Sequence, residues 1–384
     1  MSKENFVFKL AGSTMFGTGS LSQLPKVLEE LSSKSACIVT DPGVAGTGIL
    51  ERMTDILKGS KVKVVIFDKI EPEPDILSVN ECARLADKNE VDVFVGLGGG
   101  SPMDVAKGAS VVARHGGSIF DYLGVDNVPG PTITKILIPT TAGTGSEVTP
   151  FAIFKNKAKK VKTAIQSNHV VADVAFLDPS LTVSCPPKVT AVCGMDALGH
   201  AIESFTSVNA SPMTEPFTTE AIRLLGRYIL PAFGNGDNME ARKAMVLGSH
   251  YAGIGIANAK SGAVGALSYP VEGKYHVIHG ISNSLLMPAI FRYNAVADYE
   301  KFEDICDALG LNYEPGKDAA ERVARFITEL NTIFKFPQRL RDIGAKKTDL
   351  KALAEDALGR QRILINNMRK LDLNDIIAIY EAAF

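Results

Sequence analysis

The pattern of apolar and polar positions divides the chain into two parts of different character. In the first part, short apolar runs alternate with stretches of helical spacing. Apolar strands separated by helices are typical of βαβ units and predict a mostly parallel, doubly wound sheet. The predicted strands are 36–40, 62–67, 91–97, 136–139, 151–153 and 174–177, and the predicted helices are 21–31, 49–58, 75–89 and 102–113.

From about residue 187 onward, β-branched runs become rare and helical spacing dominates. The predicted helices are 191–206, 215–230, 240–256, 282–286, 299–309, 319–330, 350–357 and 373–383. We therefore predict an α/β, Rossmann-like N-terminal domain over residues 1–184 and an all-α C-terminal domain over residues 185–384.

The composition and net charge limit the kinds of binding partner that we expect for this chain. Of the 384 residues, 46% are hydrophobic and 22% are charged, which is typical of a well-packed globular protein. A net charge of -2 gives no electrostatic reason to expect nucleic acid or an anionic membrane. Because no apolar signal core or long apolar run is present, we expect a cytoplasmic protein. Five cysteines without a close CxxC pair predict reduced thiols: Cys37, Cys82, Cys185, Cys193 and Cys306.

A glycine-rich turn, Gly98-Gly99-Gly100, lies where a predicted strand gives way to a helix. Glycine lets the backbone approach an anion closely. Ser101 is the predicted N-cap, with Pro102 at the first helical position and Asp104 three residues after the cap. Free N–H groups and the helix dipole then favour a pyrophosphate, although a glycine triplet alone is equally typical of a structural turn.

A second loop of hydroxyl and small residues follows the predicted strand 136–139. It contains Thr140, Thr141, Thr144 and Ser146. Since ligands of open α/β sheets bind at the carboxyl ends of the strands, two such loops on successive strands favour a dinucleotide. Asp41, after the strand 36–40, is the candidate for ribose recognition, and a carboxylate there selects NAD rather than NADP. From local sequence alone Asp41 is equally typical of a turn before Pro42 and Gly43.

The candidate chemistry of the second part is a metal site. Asp196 and His200 lie four residues apart on a predicted helix and therefore share one face. Such a pair can share a divalent cation, although a surface hydrogen bond is the commoner role. His279, far along the chain, could supply a third ligand.

Four segments together resemble the iron-containing, group III alcohol dehydrogenases, in the order and at the separations of that family. They are GGGSPMDVAK (98–107), PTTAGTGSE (139–147), GMDALGHAIESF (194–205) and HGISNSLLMP (279–288). The resemblance covers nearly the whole chain. It implies the architecture that this family shares with dehydroquinate synthase-like proteins, a small alcohol or aldehyde substrate, and a homodimer.

The resemblance also assigns residues. It implies that Asp196, His200 and His279 bind Fe²⁺, or Zn²⁺ or Mn²⁺ instead. It implies further that a cofactor, NAD rather than NADP, contacts the residues of the two loops and of two flanking positions: Asp41, Gly98, Gly99, Ser101, Asp104, Thr140, Thr141, Thr144, Ser146 and Lys162. For Lys162, a solvated strand lysine is the plainer interpretation.

The chain departs from the family at the metal site. The family usually has a fourth ligand, a histidine, 14 residues before the last one, and that position is Gly265 here. Four residues on, where many members have a histidine that assists proton transfer, stands Tyr269. Tyr269 and His276 are accordingly the candidate proton-transfer residues. A smaller departure is Glu73, where the family often has asparagine.

Several interpretations stay open at this point. Three ligands can hold the metal, as in known Fe(II) and catalytic zinc sites, or a water or substrate oxygen can fill the vacated position. The metal can also be lost, leaving a metal-free reductase or a non-catalytic NAD-binding protein. A metal- and NAD-dependent lyase of the dehydroquinate synthase type is the other alternative.

Overall fold

The computed structural model describes residues 5–10, 12–158 and 161–384. These residues form two compact units. The α/β unit comprises residues 10–185 together with 236–246, and the helical unit comprises residues 5–9, 186–235 and 247–384. No helix among the described residues is long and apolar enough to span a membrane.

The α/β unit is built on a parallel sheet of six strands, in the order β1-β9-β6-β4-β2-β3, beside a smaller sheet in the order β5-β8-β7. The predicted doubly wound parallel sheet is therefore confirmed. The strands in the described residues are β1 (Ser13–Phe16), β2 (Ser35–Val39), β3 (Lys63–Phe67), β4 (Val93–Gly98), β5 (Gly124–Val125), β6 (Thr134–Pro139), β7 (Phe151–Asn156), β8 (Val161–Gln166) and β9 (Val174–Leu177).

Helices cover both faces of the large sheet. They are α1 (Leu24–Glu30), α2 (Pro42–Ala45), α3 (Ile49–Leu57), α4 (Ile76–Lys88) and α5 (Gly100–His115), with 3₁₀ turns at Ser20–Gln23, Ile119–Tyr122, Asn168–Val170 and Pro179–Thr182. Alternate residues of β2 enter different apolar layers. Cys37 and Val39 pack with α4 and α5, whereas Ala36 and Ile38 pack with α1 and α3. This two-sided burial is why the strand is apolar throughout.

The helical unit contains the remaining helices. They are α6 (Pro187–Thr206), α7 (Glu215–Gly234), α8 (Met239–Ala259, whose first residues belong to the α/β unit), α9 (Ala263–Tyr275), α10 (His279–Ala295), α11 (Tyr299–Leu309), α12 (Lys317–Ile333), α13 (Leu350–Leu358), α14 (Gln361–Leu364) and α15 (Leu373–Ala382), with 3₁₀ turns at Leu340–Ile343 and Lys347–Asp349.

Two long helices of this unit differ from the sequence prediction, and the short helix α14 was not predicted either. Helix α9 was not predicted, and α10 is much longer than the predicted 282–286. Both are buried over most of their surface; residues 263–268 of α9 are buried without interruption. A helix with no exposed polar stripe lacks the periodic signal on which sequence reasoning depends. Strands β1 and β8 are short or half-exposed and were missed as well.

Residues 236–246 join the α/β unit through a buried arginine. Arg242 is 3% exposed, and its guanidinium donates to the carbonyl oxygens of Gly236 (2.8 Å) and Cys185 (3.3 Å). All five cysteines are free, and Cys37, Cys82 and Cys306 are buried.

Candidate functional site

The glycine-rich turn forms the start of α5. Gly99 is the N-cap, without a side-chain hydrogen bond, and the helix begins at Gly100. The prediction of Ser101 as N-cap is therefore wrong, because glycines let the helix begin two residues earlier, directly after β4. Gly98 has φ +149°, and a β-carbon there would lie 2.7 Å from Cγ of Pro102. The turn therefore requires glycine, and its first N–H groups are not capped by a side chain.

The hydroxyl-rich loop after β6 lies against this turn. The Thr140 N–H donates to the carbonyl oxygen of Gly98 at 2.9 Å. A β-carbon on Gly99 would lie 3.6 Å from Oγ1 of Thr141, and one on Gly100 would lie 3.3 Å from Oγ1 of Thr144. The two loops thus meet at the carboxyl edge of the parallel sheet, where a dinucleotide phosphate would find N–H and hydroxyl donors together.

Asp41 lies at the same edge. Its Oδ1 accepts the N–H of Val44 at 3.0 Å and caps α2. Its Oδ2 lies 3.1 Å from where a β-carbon of Gly98 would be. Asp41 therefore both closes a turn and places a carboxylate beside the glycine turn, so the two interpretations of this residue are compatible.

Asp104 and Ser146 bind each other rather than projecting from the loops. The Ser146 hydroxyl donates to Oδ1 of Asp104 at 2.6 Å, and the Ile153 N–H donates to Oδ2 at 3.0 Å. Since both carboxylate oxygens of Asp104 are engaged inside the protein, its geometry is that of a positioning residue. Burial raises the pKa of this carboxyl.

Sequence reasoning missed Lys107, which completes this buried cluster. Its ammonium donates to Oγ of Ser146 (3.0 Å) and to the carbonyl oxygens of Thr149 (2.9 Å) and Phe151 (2.7 Å). Burial lowers the pKa of Lys107 to about 8. A charge three residues after Asp104 on an otherwise apolar helix was the signal available. Lys107 ties the hydroxyl-rich loop to α5.

Lys162, on β8, forms an ion pair with an acidic side chain. Its Nζ lies 2.9 Å from Oε1 of Glu73, and Nζ of Lys155 lies 2.9 Å from Oε2 of the same carboxylate. Glu73 thus bridges two lysines, which gives a role to a residue that departs from the family pattern.

In the helical unit, α6 and α10 bring Asp196, His200 and His279 together. Their donor atoms all lie within 4.8 Å of one another. Nε2 of His200 lies 3.6 Å and Nε2 of His279 lies 3.7 Å from Oδ1 of Asp196. These separations are long for hydrogen bonds. They suit donors of one cation, since two bonds of about 2.1 Å at a tetrahedral angle span roughly 3.4 Å. The residues therefore fit a divalent metal.

Buried polar residues orient these side chains. Glu272, on α9, bonds Nδ1 of His279, which leaves Nε2 to face Asp196. The Ser282 hydroxyl donates to the same Glu272 oxygen at 2.9 Å. The Asn283 amide donates to Oδ1 of Asp196 at 2.9 Å and lies 3.1 Å from Nε2 of His279. Glu272 and Asn283 were missed because their partners lie on other parts of the chain.

Glu203, one turn beyond His200 on α6, anchors the beginning of α9. Its Oε1 accepts the N–H groups of Gly262 (3.1 Å) and Val264 (2.7 Å). Burial raises the pKa of Glu203 to about 7, and these hydrogen bonds oppose the rise. A carboxylate of α6 therefore fixes the helix that carries Glu272.

Helix α9 also places Gly265 and Tyr269. The Tyr269 ring stacks on the His279 ring, with centroids 5.4 Å apart and planes 16° apart. Tyr269 is therefore beside the ligand cluster, as its candidate role requires. A β-carbon on Gly265 would meet only Oγ of Ser261, at 3.7 Å, among the described residues. His276 is exposed in the left-handed C-cap of α9.

Two family models match the chain. The model described as iron-containing alcohol dehydrogenase matches residues 11–179, and that described as the Fe-containing alcohol dehydrogenase family, C-terminal, matches residues 190–384.

Individual proteins match over almost the full length. The chain is 37% identical to "Long-chain-alcohol dehydrogenase 1" of Geobacillus thermodenitrificans, over 96% of this chain and 94% of that protein. A crystal structure of 1,3-propanediol oxidoreductase superposes with a TM-score of 0.95 at 36% identity, covering 99% and 100% of the two chains. Sulfoacetaldehyde reductase of Bifidobacterium kashiwanohense, in complex with NAD+, superposes with a TM-score of 0.90 at 28% identity, covering 99% of each chain.

Proposed function

The chain belongs to the iron-containing alcohol dehydrogenase family, and on that premise we propose that it interconverts a small primary alcohol and its aldehyde by NAD-dependent hydride transfer. The observation that carries the proposal is the cluster of Asp196, His200 and His279 with its orienting partners. These relatives are named as a dehydrogenase, an oxidoreductase and a reductase, which supports the dehydrogenase and favours neither the lyase nor the non-catalytic alternative.

We assign NAD to the carboxyl edge of the sheet, within residues 1–184, and metal and substrate to residues 185–384. The N–H groups of Gly99, Gly100 and Ser101 would face the pyrophosphate, with the hydroxyls of Thr141 and Thr144 beside them. Asp41 would accept the ribose hydroxyls and repel a 2′-phosphate. This edge would be supported from inside the protein by Thr140, Ser146 and Asp104. Lys162 would act only through its ion pair with Glu73.

NAD+ bound at this edge would supply the hydride acceptor for oxidation of the carbinol carbon, and the alcohol would also release one proton. Asp196, His200 and His279 would hold Fe²⁺, or Zn²⁺ or Mn²⁺ in its place, which would supply a Lewis acid that lowers the pKa of the alcohol. The protein's own part is to hold three donors in place through Glu272 and Asn283. In this proposal Gly265 leaves the cluster open on one side, which gives the substrate oxygen room to enter.

Helix α9 and its C-cap carry the two candidate proton-transfer residues. The Tyr269 ring lies against His279, and His276 is exposed at the end of the same helix. We assign Tyr269 to exchange the substrate proton and His276 to exchange it with solvent. We further propose that the enzyme is a cytoplasmic homodimer.

The ligand assignment is tested with His200→Ala and His279→Ala, and with His169→Ala as a matched control on an exposed histidine. The two ligand variants should lose bound metal, and turnover at 340 nm should fall by more than the roughly 10–100-fold that loss of an orienting partner costs. The control should retain both. Full turnover by a sample shown to contain no metal would exclude the three-ligand site.

A further inference from the structure

Arg360 lies beside the candidate active site and belongs to none of the groups assigned above. It stands between α13 and α14, in the same unit as the ligand cluster. The carbon of its guanidinium lies 5.2 Å from the centre of the Tyr269 ring, which itself stacks on His279. A permanent positive charge therefore lies against the ring that stacks on a proposed metal ligand.

The hydrogen-bonding capacity of Arg360 is mostly unused. One terminal nitrogen donates to Oδ1 of Asp356 at 3.1 Å. Nε is buried and has no hydrogen-bond partner among the described residues. Asp356 is 54% exposed, so this pair is a weak surface ion pair that an incoming anion can displace. A buried donor without an acceptor is costly, and an oxyanion satisfies it.

Gly265 leaves room on the same face of α9. It precedes Tyr269 by four residues and therefore lies one helical turn from it on that face. Only Oγ of Ser261, among the described residues, lies within 4 Å of where its β-carbon would be. The space that a larger side chain would fill thus lies one helical turn along α9 from the ring that Arg360 contacts.

We propose that Arg360 selects substrates that carry an oxyanion at the end opposite the alcohol or aldehyde. The substrate oxygen enters the ligand cluster, the short carbon chain passes the Tyr269 ring, and a carboxylate or sulfonate takes the fork of Arg360. The inference rests on the proposed dehydrogenase function and names its substrate class: short ω-hydroxy acids or hydroxyalkanesulfonates and the corresponding aldehydes.

The test compares matched pairs of anionic and neutral alcohols. The pairs are 3-hydroxypropanoate with 1,3-propanediol, 4-hydroxybutanoate with 1,4-butanediol, and 2-hydroxyethanesulfonate with ethylene glycol. The third pair separates a sulfonate from a carboxylate. In the wild-type enzyme, kcat/KM should favour the anionic member of at least one pair. Arg360→Gln should lower that anionic-to-neutral ratio by about 100-fold, mainly through KM, because the anion is bound equally before and during hydride transfer.

Asp356→Asn is the matched control, since it removes the surface ion pair and leaves the guanidinium; its ratio should equal or exceed that of wild type. A second measurement needs no variant: KM for the preferred anion should rise with ionic strength, and KM for its neutral partner should not. Turnover of the neutral alcohols with no anionic preference, or a ratio that Arg360→Gln leaves unchanged, overturns this inference alone. No turnover of any pair in either direction overturns the proposed function and this inference with it.

Discussion

At the scale of single residues, the candidate metal site depends on side chains that would not touch the metal. His279 has two ring nitrogens, and the bond between Nδ1 and Glu272 decides that Nε2 faces the cluster. The side-chain amide of Asn283 donates to Oδ1 of Asp196 at 2.9 Å and so holds that carboxylate in place. His279 and Asp196 are thus positioned by Glu272 near the end of α9 and Asn283 in the second turn of α10.

Glu272→Ala should weaken metal binding by roughly 10–100-fold, because the His279 ring loses the partner that sets its tautomer and orientation. Glu272→Gln, which keeps an oxygen acceptor, should have a smaller effect. Affinity is measured by competition with a chelator, and Glu220→Ala, which removes an exposed carboxylate paired with Arg223, serves as the control. Equal affinities for all four proteins would show that Glu272 has no part in the site.

At the scale of elements, the site exists because α6 and α10 approach closely. A β-carbon on Gly280 would overlap the carbonyl oxygen of Val192, so only glycine permits this contact. Gly280 directly follows His279, and the same contact therefore sets the distance from His279 to Asp196. Gly265, on α9, has no such neighbour.

Two glycine substitutions should consequently have opposite effects. Gly280→Ala should destabilise the protein by about 1–3 kcal/mol, since the helices must separate, and should weaken metal binding as well. Gly265→Ala should be neutral or stabilising by up to about 1 kcal/mol, because alanine favours the helix and has space. Chemical unfolding with and without metal measures both. Equal stabilities of the two variants would contradict the packing argument.

These elements also show which features are visible in the sequence. The strands that the parallel sheet buries on both faces were predicted from their apolar runs, and the pair Asp196 and His200 was predicted from helical spacing. Helix α9 was not, because a nearly buried helix has no polar stripe. Glu203, Glu272 and Arg360 gain their roles from partners on other elements, and a single sequence does not show such contacts.

At the scale of the whole molecule, the buried ammonium of Lys107 links stability to pH. Its pKa is about 8 in the folded protein and near 10.5 in the unfolded chain. Between these values the unfolded chain binds more protons, so this group makes the folded state more stable as the pH rises from 8 to 10.5. Below pH 8 the buried Lys107 side chain is charged in the folded protein, and the burial of that charge costs free energy.

Lys107→Met removes this titration and leaves the charges on the protein surface unchanged. The difference in the free energy of unfolding between the wild type and the variant should therefore shift in favour of the wild type by about 1 kcal/mol per pH unit between pH 8 and 10. Near neutral pH the variant should still be less stable, since Asp104 loses its buried partner. Urea titrations across this range measure the difference, and parallel curves would contradict the assigned pKa.

The sheet order has a consequence for biosynthesis. Strand β1, at Ser13–Phe16, pairs with β9, at Val174–Leu177, and residues 236–246 also belong to the α/β unit. After β1 has left the ribosome, it must therefore wait until well over a hundred further residues have emerged. At a translation rate of roughly 5–20 residues per second, its edge stays unpaired for many seconds. The nascent chain is thus most exposed to misassociation in the interval before β9 arrives.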